Sequence, residues 1–147
     1  MNDLMRAIFN VQKGVSAIKT DSKNPMYQGK KYATLKQIMA VVKPLMEENN
    51  LVFTSCFDYR NEQWGLLSSL VHIPEKTDVT MLAKIEAFFP MEKIADPQQL
   101  GKLATYARRY NLTSLLNLTF EDDDDDDDGN SFVKAKVTKT KPTPLKL

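Results

Sequence analysis

Between residues 51 and 89 the apolar residues change from helical spacing to alternation, and this change narrows the chain to folds in which helices share a core with an antiparallel sheet. The stretch LVFTSCFDY puts Leu51, Phe53, Phe57 and Tyr59 on one side and Thr54 and Asp58 on the other. Arg60-Asn61-Glu62 supplies a turn, and QWGLLSSLVHI (63–73) reads as a second strand. After a second turn, PEKTD, the stretch VTMLAKIEAFF (79–89) directs Val79, Met81, Ala83, Ile85, Ala87 and Phe89 inward and Lys84 and Glu86 outward. Three strands joined by short turns make an antiparallel meander with one face covered.

The cover comes from helices on either side. Leu4, Ile8, Val11, Val15 and Ile18 recur at helical spacing. A loop is expected over 21–32, marked by Asn24-Pro25 and Gly29. Thr34 with Gln37 three residues on forms a capping box, and Leu35, Ile38, Met39, Val42, Leu45 and Met46 then share one face. Pro44 interrupts that pattern and predicts a kink or an early end. Asp96-Pro97 caps the last helix, which should run to about residue 117, with Gln99 at capping-box spacing. The expected fold is α+β: a three-stranded antiparallel β-meander packed against an N-terminal helix, a capped second helix and a C-terminal basic helix. Residues 1–120 form the core, and 121–147 hold an acidic run and a basic tail.

Composition removes several function classes. One cysteine and one histidine leave no disulfide framework and no structural zinc set. Cys56 is expected to be a small buried residue, His72 structural, and Trp64 either core or an interface anchor. No apolar run approaches the roughly 18 residues of a membrane span, and the N-terminus lacks the apolar stretch of a secretory signal, so a cytoplasmic protein is expected. Neither Gly29-Lys30 nor Gly101-Lys102 belongs to a phosphate-binding Walker loop. Asp124, Asp126, Asp128 and Gly129 imitate the first half of a calcium loop, but its twelfth position is Ala135, not glutamate. No cofactor or metal is expected.

Charge is segregated along the chain. Residues 1–120 hold 15 Lys/Arg against 11 Asp/Glu, the run EDDDDDDD (121–128) follows, and the last 19 residues carry 5 lysines and no acid. Within 97–120 there are three cations and no anion, whereas a solvated helix face ordinarily mixes signs. On a helical wheel Leu100, Leu103, Ala104 and Ala107 face the sheet, with Tyr110 at their flank as a structural residue. Lys102, Thr105, Tyr106, Arg109 and Thr113 fall within an arc of about 100° on the far side, and Arg108 sits at the other flank. Arginine and lysine suit phosphate oxygens, threonine adds a hydroxyl, and tyrosine can pack on a sugar or base. The 23–32 stretch repeats the mixture with Lys30 and Lys31 beside Tyr32.

These stretches resemble the ERF family of bacteriophage single-strand annealing proteins. The family pattern K-Y-A-[ST]-L-x-x-I is matched at Lys31, Tyr32, Ala33, Thr34, Leu35 and Ile38. Its later T-Y-x-[RK]-R-Y-x-L pattern is matched at Thr105, Tyr106, Arg108, Arg109, Tyr110 and Leu112, and the closing acidic stretch is also present. The resemblance implies an α+β core that assembles into rings or filaments. It implies binding of single-stranded DNA and pairing of complementary strands in phage recombination and repair, without nucleotide hydrolysis and without enzymatic chemistry, in the cytoplasm of a bacterial host. Lys30, Lys31, Lys102, Arg108 and Arg109 would then hold phosphate, assisted by Thr105, with Tyr32 and Tyr106 against sugar or base. The partners implied are single-stranded DNA, further copies of the chain, and single-strand-binding protein or a phage exonuclease. Longer members recruit the host single-strand-binding protein through a C-terminal region, whereas only 19 residues follow the acid run here.

Two other classes fit parts of the pattern. A metal-dependent nuclease could use the aspartate run, although catalytic carboxylates need a rigid scaffold. A non-enzymatic interaction module could use the basic helix to bind an acidic protein surface.

Overall fold

The computed structural model describes residues 2–23, 31–76, 82–92 and 96–121. The elements run α1 (Asn2–Gly14), β1 (Ser22–Lys23), β2 (Lys31–Tyr32), α2 (Leu35–Glu48), β3 (Leu51–Arg60), β4 (Gln63–His72), β5 (Lys84–Pro90) and α3 (Pro97–Leu116). This is the expected α+β arrangement, with β3, β4 and β5 forming an antiparallel meander in that order. The acidic run after Glu121 and the basic tail, Lys30, Val79 and Met81 lie outside the described residues.

Register explains which side of the sheet is covered. Phe53 pairs with Leu70 and Leu70 with Ile85, so all three project to the same face. There they meet Leu4, Ile8 and Val11 of α1, Ile38 and Val42 of α2, and Leu112 and Leu116 of α3. Leu70, Leu112 and Leu116 are fully buried, each worth about 1.5–3 kcal/mol of hydrophobic transfer. A smaller cluster of Leu66, Met91 and Ala107, with Phe89, Leu103 and Ala104 against it, fixes the N-terminal half of α3 on β4 and β5. Gly14 lies where α1 meets α2, and a Cβ there would stand 2.9 Å from the Leu45 side chain.

The opposite sheet face is covered by no described element. It carries Val52, Leu67, Val71 and Phe88 together with an ionic group of Asp58, Arg60, Lys84 and Glu86. Arg60 Nε lies 2.6 Å from Asp58 Oδ2, its Nη2 3.8 Å from Glu86 Oε2, and Lys84 Nζ 2.8 Å from Glu86 Oε1. Cys56 is on this face and exposed, contrary to the expectation from its residue type. Strand alternation, rather than hydrophobicity, decides its side. The β3–β4 turn uses two left-handed residues, Asn61 (φ 50°) and Glu62 (φ 62°), which match the twist of the flanking strands.

Three local expectations are corrected and one alternative is narrowed. Helix α1 stops at Gly14, and Ile18 reaches the core from an extended segment instead. There the Ile18 amide donates to the Thr119 carbonyl at 2.9 Å and the Glu121 amide to the Ile18 carbonyl at 3.1 Å. Part of the expected 21–32 loop is a strand pair, with Ser22 opposite Tyr32 and Lys23 opposite Lys31. Of the two outcomes expected at Pro44, the early end does not occur, since α2 continues through it to Glu48. Pro44 and Ala40 are both exposed, so the carbonyl that loses its amide partner can turn to water. At α3 the Asp96 carboxylate accepts from the amide of Gln98, not Gln99, at 2.9 Å. The Thr34 box is reciprocal as expected: the Gln37 amide donates to Thr34 Oγ1 (3.2 Å) and the Thr34 amide to Gln37 Oε1 (2.7 Å).

Candidate nucleic-acid interface

The rotation of α3 about its axis is set by a polar contact the sequence pattern did not reveal. Asn111 is 4% exposed, and its side-chain amide donates to the Leu66 carbonyl (3.1 Å), Ser68 Oγ (3.0 Å) and the Ala87 carbonyl (3.3 Å). On a helical wheel Asn111 falls within the arc of Leu100, Leu103, Ala104 and Ala107, so its position pointed to the sheet and only its polarity spoke against burial. Here it bridges β4 and β5 and satisfies buried acceptors.

With that side pinned to the sheet, the arc holding Lys102, Thr105, Tyr106 and Arg109 turns outward. Arg109 is half-buried. Its guanidinium carbon lies 4.9 Å from the ring centre of Tyr32 and 5.2 Å from those of Tyr106 and Tyr110. One guanidinium nitrogen donates to the Ala33 carbonyl at 3.4 Å. The rings support each other: Tyr106 Oη donates to Tyr110 Oη at 3.0 Å, and Phe89 meets Tyr106 edge-on at 5.9 Å. The cation is therefore aimed by aromatic faces rather than by a carboxylate. Among the described residues, neither Lys102, Arg108 nor Arg109 forms an ion pair.

These side chains surround a surface depression of about 250 Å3 lined by Tyr32, Thr34, Leu35, Lys102, Thr105, Tyr106 and Arg109. Five of the eight residues selected from the sequence meet there: Tyr32, Lys102, Thr105, Tyr106 and Arg109. The capping box at Thr34 and the short β1–β2 pair bring Tyr32 across to α3. Lys31 is exposed one residue before Tyr32 and, by strand alternation, points to the other side of β2. Arg108 is not part of this set, because it lines a neighbouring groove on the other flank of α3. Lys30 lies outside the described residues. Thr34 and Leu35 were missed as lining residues, since their capping and core roles already accounted for them.

Two details limit the chemistry available. The Thr105 hydroxyl donates to the Gly101 carbonyl at 3.1 Å, which commits its proton within the helix and leaves its oxygen as an acceptor. Tyr110, expected to be structural, is 46% exposed, yet it serves as one wall of the Arg109 cage. The depression thus combines two cations with tyrosine faces and, among the described residues, has no carboxylate in its lining, a set suited to an anion joined to a flat ring. No group of three His, Cys, Asp or Glu side chains among the described residues could hold a metal ion. No helix among them is long and apolar enough to cross a membrane.

The family model of the ERF superfamily matches residues 4–145 of the chain. Comparison with curated proteins and with solved structures gives no match.

Proposed function

The chain belongs to the ERF superfamily, and from that premise we propose that it binds single-stranded DNA and anneals complementary strands during phage recombination. Family membership is consistent with a recombination and annealing role. The observation that carries the finer reading is the depression in which Lys102 and the tyrosine-caged Arg109 stand without acidic partners among the described residues.

Annealing asks for no covalent step from the protein. Two bare strands repel through their phosphates, and unpaired bases collapse into local hairpins. A surface that neutralises phosphates while holding a strand extended reduces both obstacles. Its affinity comes largely from released counterions and falls as salt rises. A depression of this size contacts few nucleotides, so several copies acting together would multiply weak contacts through effective concentration. The proposed partners are single-stranded DNA and further copies of the same chain, and the proposed action involves no nucleotide hydrolysis.

The test removes the two cations of the depression. Lys102→Ala combined with Arg109→Gln should weaken binding of an oligothymidylate in a gel shift. It should also lower the salt slope by roughly 0.7 per lost phosphate contact. The pairing rate of complementary strands should fall with the binding. Unchanged affinity and slope in the double variant would overturn the assignment.

A further inference from the structure

A second groove, of about 380 Å3, opens between α2, α3 and strand β3 on the other flank of the helix. Leu35, Met39, Phe53, Phe57 and Ala104 line it, and Arg108 is the one charged residue in its lining among the described residues. Leu35 also lines the Lys102 depression, so the two are contiguous across the start of α2. Beyond Phe57, the next pair on the same sheet face is Tyr59 opposite Trp64, with ring centres 5.3 Å apart and planes at 57°. Phe57, Tyr59 and Trp64 are 51%, 55% and 61% exposed, although their strand positions share the face that carries the core. The helices end short of them.

We propose that this groove and the Tyr59–Trp64 pair receive the unpaired bases of the same strand whose phosphates lie at Lys102 and Arg109. The proposal rests on the function proposed above and assigns its base-contacting half. Aromatic rings stack on any base, which suits a protein indifferent to sequence. Stacking also occupies the faces of a base and leaves its pairing edge open, as annealing requires. Contiguity favours a strand over a second copy of the chain. One strand can set phosphates at Lys102, Arg109 and Arg108 and its bases in the apolar groove beside them, whereas the acidic run EDDDDDDD (121–128) of a second copy would answer the cations and leave the apolar lining unfilled.

Trp64 is the single tryptophan of the chain, so its emission reads this site alone. The full chain would be titrated with an end-labelled oligothymidylate and with an abasic strand of equal length, following dye anisotropy and Trp64 emission together. Both strands should raise the anisotropy, but only the oligothymidylate should quench Trp64. Trp64→Leu should weaken oligothymidylate binding roughly tenfold and leave the abasic strand unaffected. Phe57→Ala should act in the same direction. Binding of oligothymidylate with unchanged Trp64 emission would overturn this proposal and leave the phosphate reading standing. Absence of binding by either strand would overturn both. Emission that responds to protein concentration and not to DNA would assign the surface to a second copy and overturn the proposal.

Discussion

Arg108 and Arg109 are adjacent in sequence and occupy unlike surroundings. Successive helical residues point about 100° apart, enough here to place them on opposite flanks of α3. Arg109 is half-buried among three tyrosine rings and bound to a backbone carbonyl. Arg108 is exposed above an apolar groove. Arg60 adds a third condition, since Asp58 and Glu86 already neutralise it. The lesson is that a cation's availability depends on what surrounds it. Carboxylates consume its charge, aromatic rings orient it while leaving the charge in place, and solvent does neither.

The strongest perturbation of this contrast acts through Asn111, which holds α3 in the rotation that separates the two arginines. Asn111→Leu leaves buried acceptors on β4 and β5 without their donor, so unfolding free energy in urea should fall by about 1–3 kcal/mol. A loss within experimental error would mean that apolar packing alone sets the helix orientation. Next in size, Arg109→Ala should cost about 1–2 kcal/mol through the lost ring contacts and carbonyl bond. Arg108→Ala should stay within about 0.5 kcal/mol. Equal effects of the two alanine variants would erase the distinction.

The smallest expected effect concerns Arg60 and pH. Its hydrogen bond holds the Asp58 carboxyl below the usual carboxylate range, helped by the Tyr59 amide and opposed by slight desolvation. Glu86 is lowered chiefly by its hydrogen bond from Lys84, with Ser69 and Arg60 contributing. A carboxylate whose folded pKa is depressed contributes stability that is present above its unfolded pKa and lost as pH falls through the folded one. The contribution should therefore be complete above about pH 4–5 and disappear below it. Arg60→Gln should flatten that acid dependence in a urea titration series, whereas Arg108→Ala should leave its shape unaltered. An identical acid profile in the Arg60 variant would show that the ion group does not act on stability.

Much of the fold was legible because its signals are local. Thr34 and Gln37 are three residues apart and cap α2 as expected, and the parity of Leu51, Phe53, Ala83, Ile85 and Phe89 placed the core face of the sheet. Ile18 shows where this reading fails. Its spacing fits a helix, but an extended segment buries it equally well once the chain after α3 provides partners at Thr119 and Glu121. Phe57 and Tyr59 show another limit. Alternation tells which face a residue shares, while the reach of the helices tells whether that face is covered. In the candidate site, the late helix displayed Lys102, Thr105, Tyr106 and Arg109 on one arc, since helical geometry is periodic. That Tyr32 would close over Arg109, or that Arg108 would belong to another groove, depends on contacts with segments more than forty residues away in the chain.

The sequence alone determined the three main helices and the three-stranded meander, the side of each that is apolar, and the clustering of uncompensated cations on the last helix, because these follow from the spacing of neighbouring residues. Tertiary structure decided which cations remain available and where the aromatic rings stand. Those outcomes depend on distances between segments remote in the chain, and no local periodicity encodes such distances.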